Sequence, residues 1–210
     1  MNNRLSSARL HWFLLLSGLA VLAWSGVYPR DRLTWVLETF PAMIGAVVLV
    51  ATYRRFRFSN LAYVMIWVHA VILMLGGHWT YAQMPLFNWL RDTFHLARNY
   101  YDRVGHIAQG FVPAILAREL LLRTSPLRRG KWLSTIVVCI CMAISATYEF
   151  IEWWSSLLLG QSADAFLGTQ SDTWDTQWDM FMCLVGAILA LLTLRGAHDR
   201  SMRELEPNCC

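Results

Sequence analysis

The amino-acid sequence predicts an all-α fold: a polytopic membrane bundle of six transmembrane helices, with a short interfacial amphipathic helix between the third and fourth. Composition is the first reason. Of 210 residues, 56% are hydrophobic and only 15% are charged, whereas a soluble domain carries about a quarter charged residues. Patterning is the second. The apolar residues are gathered in blocks of roughly 17–20, the length that crosses a hydrocarbon core of about 30 Å. The third is the distribution of arginine, which fills alternate loops as membrane orientation requires. Little sequence separates the blocks, so residues 1–210 read as a single integral-membrane domain.

The first span covers about residues 10–28, behind Arg4 and Arg9. Basic residues ahead of an apolar stretch also describe a secretory signal. This stretch is long for one and lacks a small-x-small cleavage site, so it is read as an uncleaved span. The second span, about 33–52, contains Pro41, which membrane helices tolerate because freed backbone groups find partners nearby. The third is about 60–77. The segment from His78 to Tyr101 is too polar to cross a membrane. Within it Leu86, Trp89, Leu90, Phe94 and Ala97 recur at helical spacing, with Arg91, His95 and Arg98 elsewhere, which predicts the surface-lying helix. The last three spans are about 104–122, 132–154 and 176–194.

Arg4 and Arg9, then Arg54, Arg55 and Arg57, then Arg123, Arg128, Arg129 and Lys131, and finally Arg195, Arg200 and Arg203 all fall on one side of this arrangement. The segment from Gly160 to Asp175 on the other side has no Lys or Arg. Both termini are therefore expected in the cytoplasm. The formal net charge of +4 is explained by these loops, and nucleic acid is not an expected partner; membrane lipid is. Cys139, Cys141 and Cys183 sit inside apolar runs as small packing residues, and Cys209 and Cys210 are read as an unstructured end. No cysteine spacing suggests a zinc finger or redox motif.

The acids and histidines are placed less evenly. Asp102, His106 and Gln109 share one face at the outer end of the fourth span; Ser145, Glu149, Glu152 and Ser156 do so in the fifth; Asp172, Asp175 and Asp179 follow at the start of the sixth. His78 marks the outer end of the third. The topology brings these four ends to one side. A carboxylate in lipid costs roughly 2.5–3.5 kcal/mol even on insertion scales, so the acids must face the bundle interior, where six of them would repel one another.

Three resolutions are open. A divalent metal ion could be held by His106, Glu149, Glu152, Asp175 and Asp179, with His78 or Asp172 as further ligands. Arginines could neutralise the acids: Arg103 is adjacent, and Arg91 or Arg98 could fold down from the surface helix. The acids could be protonated, as in a proton relay. If the cluster is catalytic, Asp102, His106, Glu149, Glu152, Asp175 and Asp179 are its candidates. The stretch from Gly168 to Met180 also fits a helix start capped by Asp172 or Thr173, although three acids on one face exceed what a cap needs. Arg118 and Glu119 read as a snorkelling pair at the inner boundary, His69 as an interhelical hydrogen-bonding residue, and His11 and His95 as interfacial.

At these residues the chain resembles the YjdF-like family of uncharacterised bacterial inner-membrane proteins. The resemblance spans nearly the whole sequence and rests on DRVGHIAQG (Asp102–Gly110), ARE (Ala117–Glu119), YEFIEW (Tyr148–Trp153) and GTQSDTWDTQWDM (Gly168–Met180). The family form of the last motif has Gly where Ser171 stands. The resemblance implies a bacterial inner-membrane location and no particular reaction. A partial similarity to VanZ-like membrane proteins involves Glu149 or Glu152, Gln170, Asp175, Asp179 and Gly186.

Three functions compete on this reading. One is an envelope enzyme, or a relic of one, acting at the outer leaflet on a lipid-linked or phosphate-bearing substrate, with His78 or Asp102 as base or as support behind the ligands. Another is a small transporter or ion-coupled permease, for which His69 is the midplane candidate and against which the absence of internal repeats counts. The last is a structural or accessory role.

Overall fold

A computed structural model of the chain describes residues 2–160 and 164–205. Its helices run in the order α1 (Asn2–Ser25), α2 (Arg32–Thr52), α3 (Asn60–Trp79), α4 (Pro85–Phe94), α5 (Tyr101–Thr124), α6 (Lys131–Leu159), α7 (Asp164–Leu167), α8 (Asp175–Thr193) and α9 (Arg195–Arg203), with a 3-10 turn at Tyr81–Gln83. Cys209 and Cys210 lie outside the described residues. Helix starts follow local chemistry. Asp31 caps α2 by accepting from the Thr34 amide at 2.7 Å, and Ser59 takes the same position before α3. Pro85 opens α4 at a position where its missing N–H is no loss.

Five helices are long and apolar enough to cross a membrane: residues 6–25 of α1, and α2, α3, α6 and α8. The expected fourth span, α5, is not among them. At 24 residues it is about 36 Å long, so the shortfall is one of apolarity. Its polar groups point into the protein: Asp102, Arg103, His106, Arg118 and Glu119 are all buried. Packed against α3, α6 and α8, α5 turns these polar groups to protein, which accounts for its low apolarity.

The closest helix pair is α5 with α8. A Cβ at Gly110 would fall on the Cys183 carbonyl, and one at Gly186 on the Ile107 carbonyl. Each helix thus lays its backbone against the glycine of the other, the close approach that small residues permit in membrane bundles. Ala114, Ile115, Val137, Cys141, Cys183, Ala187 and Ala190 complete this dry seam. Beside it, the Tyr81 ring fills the space that Gly76 and Gly105 leave open between α3 and α5.

A helix, α4, forms where the amphipathic one is expected, and it is shorter than the periodicity suggests. Its apolar face exposes Leu86, Trp89 and Phe94, and it ends where His95 adopts a left-handed conformation (φ 53°) and the Leu96 amide reaches back to the Arg91 carbonyl. Ala97 and Arg98 are therefore not on that helix. At the other end of the bundle, Arg118 and Glu119 are not a snorkelling pair. Glu119 is fully buried and accepts from the Ser59 amide at 2.8 Å, the Ser59 hydroxyl at 2.6 Å and Arg123 at 2.7 Å, with His198 Nε2 at 3.0 Å. Arg118 lies 2.9 Å from His198 Nδ1 and donates to Asp199 at 2.7 Å. The two residues anchor α9 to α3 and α5. His11 is likewise buried, between the Tyr53 hydroxyl and Asn60.

Candidate functional site

The polar cluster forms where the first turns of α5 and α8 meet the last turns of α6. His106 is its centre. Its Nε2 lies 3.5 Å from an Asp102 oxygen, one turn earlier on α5, and 3.5 Å from an Asp179 oxygen on α8. Its Nδ1 faces the Gln109 side-chain oxygen at 3.1 Å, an arrangement that puts a hydrogen on Nδ1. The remaining nitrogen and two carboxylates then point at one another. Arg103 already brings one positive charge to Asp179, on the same oxygen that faces His106; a proton on Nε2 or a cation between the three would supply a second. The spacings of 3.5 Å exceed an ordinary N–H···O bond. They match the separation of about 3.4 Å between ligands of a tetrahedral ion with bonds near 2.1 Å. Asp102, His106 and Asp179 offer ligand atoms within 4.8 Å of one another, and all three residues are buried.

Two arginines flank this trio. Arg103 pairs with Asp179, lies 2.6 Å from Asp175, and reaches Asp102 and Asp172 at 3.3 Å. Arg98 pairs with Asp175, reaches Asp172 at 3.3 Å and Asp102 at 3.6 Å, and donates to the Gly168 carbonyl at 3.2 Å. Arg98 gets there because the chain turns inward after α4, where Asn99 is held at both backbone groups by the Gln170 side chain, at 2.9 Å each. Arg91 takes no part and pairs with its neighbour Asp92.

The acids still outnumber the cations. Glu149 is buried, and its Oε1 has no hydrogen-bond partner; Ser145 Oγ, one turn earlier on α6, is also without one. Among the described residues no ion pair reaches Glu149 or Glu152, and Glu152 is only half-buried. Sequence reasoning missed a further acid. Glu38 of α2 is buried and accepts from the Tyr148 hydroxyl at 3.1 Å, while the Tyr148 ring packs edge-on to His106. A lone carboxylate inside an apolar span, about two turns from the start of α2, was the signal that could have found it. His78 stands apart: buried against α1, its Nδ1 lies 2.9 Å from the Ser25 carbonyl and its ring stacks on Trp24. His69 Nε2 has no partner among the described residues, so the expected interhelical bond is not formed there.

With this geometry in view, comparison with known proteins places the chain. The predicted membrane protein family DUF2238 matches residues 10–200. The chain belongs to this family. A relative, inner membrane protein YjdF of Escherichia coli (strain K12), is 46% identical over 183 residues, which covers 87% of this chain and 88% of the relative. No solved structure matches. Neither match supports the similarity to VanZ-like proteins.

The DUF2238 chain also departs from the helix cap expected at the sixth span. α8 begins at Asp175 with Trp174 in the cap position and no side-chain cap. Asp172 instead accepts from the Trp174 amide at 2.9 Å, within a turn in which Gln170 and Ser171 hold φ of 47° and 68°. A left-handed backbone of this kind favours glycine, because a Cβ there costs about 1–2 kcal/mol. Ser171→Gly is accordingly expected to raise the thermal unfolding midpoint slightly, by the equivalent of roughly 0.5–1 kcal/mol. A differential scanning measurement in detergent checks this, and an unchanged or lowered midpoint contradicts it.

Proposed function

We propose that this protein is an inner-membrane protein of the cell envelope whose buried His/carboxylate cluster holds a divalent cation near the outer face of the membrane, where it engages a phosphate-bearing or lipid-linked envelope substrate. The single observation that carries the reading is the arrangement around His106: its Nε2 and two carboxylate oxygens converge at metal-ligand spacing, beside a buried glutamate oxygen that no protein group satisfies. Asp102, His106 and Asp179 would be ligands, and Glu149 a fourth. Glu152 would stand behind it, while Asp172 and Asp175 would orient the arginines. A divalent ion held there would polarise a phosphoryl oxygen and draw a negatively charged headgroup to the site. Placement at the outer face follows from the loop arginines, with both termini in the cytoplasm and α5 as a sixth span. The relative's description as an inner membrane protein supports the location.

A second reading has its own observation in its favour. Every aspartate of the cluster pairs with an arginine, which suits a network that only ties the loop before α8 to α5. Elemental analysis separates the two. Wild-type protein purified in mild detergent, without chelator, is expected to carry near-stoichiometric divalent metal, and an Asp175→Asn/Asp179→Asn variant of unchanged elution profile is expected to carry little. Metal-free wild-type protein that also fails to bind added Mn²⁺ or Zn²⁺ would favour the purely structural network.

A further inference from the structure

The end of the bundle opposite the cluster carries a second polar feature, of the other sign. A shallow, largely open pocket of about 450 Å³ is lined by Tyr53, Arg54, Arg57, Arg123 and Leu205. Among the described residues, three guanidinium side chains and no carboxylate form its wall. Arg123 is held in place from three directions: it donates to the Arg57 carbonyl at 2.7 Å and to buried Glu119 at 2.7 Å, and its guanidinium lies 4.1 Å from the Phe56 ring centroid. Those two bonds both use Nη1, leaving Nη2 available. Arg54 and Arg57 enter no ion pair among the described residues.

We propose that this pocket binds the phosphate of an anionic phospholipid headgroup. One fixed guanidinium, Arg123, beside two that no described residue engages offers the donors that the tetrahedral oxygens of a phosphodiester require, and basic pockets between membrane helices are recognised sites for such headgroups. Position decides for a lipid over a free anion. The pocket lies in the loop between the end of α2 at Thr52 and the start of α3 at Asn60, so it opens at the membrane boundary. In the last turns of α2 before the pocket, Val47, Val48 and Val50 are exposed, apolar surface that acyl chains would cover while the headgroup is held above. Tyr53 and Leu205 line the same pocket beside the arginines.

The test uses the full-length protein in mild detergent. Thermal unfolding is followed with added phosphatidylglycerol, phosphatidylcholine or inorganic phosphate, for wild type and two double variants. Arg54→Gln/Arg57→Gln removes the unpaired pocket charges, which sit on a loop outside the core. Arg128→Gln/Arg195→Gln removes two exposed charges outside the pocket. Phosphatidylglycerol is expected to raise the midpoint of wild type and of Arg128→Gln/Arg195→Gln by several degrees, with most of the rise lost in Arg54→Gln/Arg57→Gln. The proposal is overturned if phosphatidylcholine stabilises equally, if inorganic phosphate alone reproduces the rise, or if both double variants lose it to the same extent, since diffuse charge would then suffice.

Discussion

Arg103→Ala is expected to destabilise the protein by about 3–5 kcal/mol, because it removes one partner of a buried ion-pair network and leaves the others in a low-dielectric site. The side chain touches four aspartates, of which Asp102, Asp175 and Asp179 are buried. Its loss leaves Asp179 without an arginine and Asp175 with Arg98 alone. The expected result is a lowered unfolding midpoint in detergent and poor recovery from the membrane. A second substitution should restore much of the loss. Asp179→Asn in the Arg103→Ala background removes the orphaned charge while keeping its shape, and the two changes should be strongly non-additive. Additive effects, or a single-variant loss below about 1 kcal/mol of the kind seen for exposed pairs, would show that the network is solvated.

The seam between α5 and α8 should be equally intolerant. Gly110→Leu or Gly186→Leu places a side chain where a backbone carbonyl of the facing helix lies, and neither helix can give without parting from the other. Overpacking usually costs about 1–3 kcal/mol, but that figure assumes neighbouring side chains can shift. Here the obstacle is main chain. Gly110→Ala alone is expected to exceed about 2 kcal/mol for that reason, and the leucine variants to yield no monodisperse protein on size-exclusion chromatography. Because Asp102 and His106 on α5 meet Asp179 on α8, separation of the helices would also open the cluster. Gly45 offers the control, since a Cβ there meets nothing within 4 Å.

The sequence made most of the bundle legible, since apolar block length and loop arginines are one-dimensional signals. Its weakest point was α5. The motif between Asp102 and Gly110 carries too much charge to satisfy a hydropathy test, yet the same residues place the helix at the centre of the bundle. The convergence of Asp102, His106, Asp175 and Asp179 was also readable, from helical spacing plus topology. The parts that were not readable depend on chain direction between helices. Arg98 reaches the acids only because His95 ends α4 in a left-handed turn, and no periodicity announces that. Glu38 joins through Tyr148 from a different helix. Arg118 and Glu119 looked like boundary residues because their partners, His198 and Asp199, lie far along the chain.

Binding of Mn²⁺ by wild-type and Glu149→Gln protein, followed by loss of the free-ion paramagnetic resonance signal, tests the cation site most directly. Glu149 takes no part in the arginine pairs, so this change leaves the network of Arg98 and Arg103 standing. Saturable binding by wild type, weakened about tenfold or more in Glu149→Gln (at least ~1.4 kcal/mol), is the predicted result. Wild-type protein that shows no saturable binding, or a Glu149→Gln variant that binds as tightly as wild type, would contradict it.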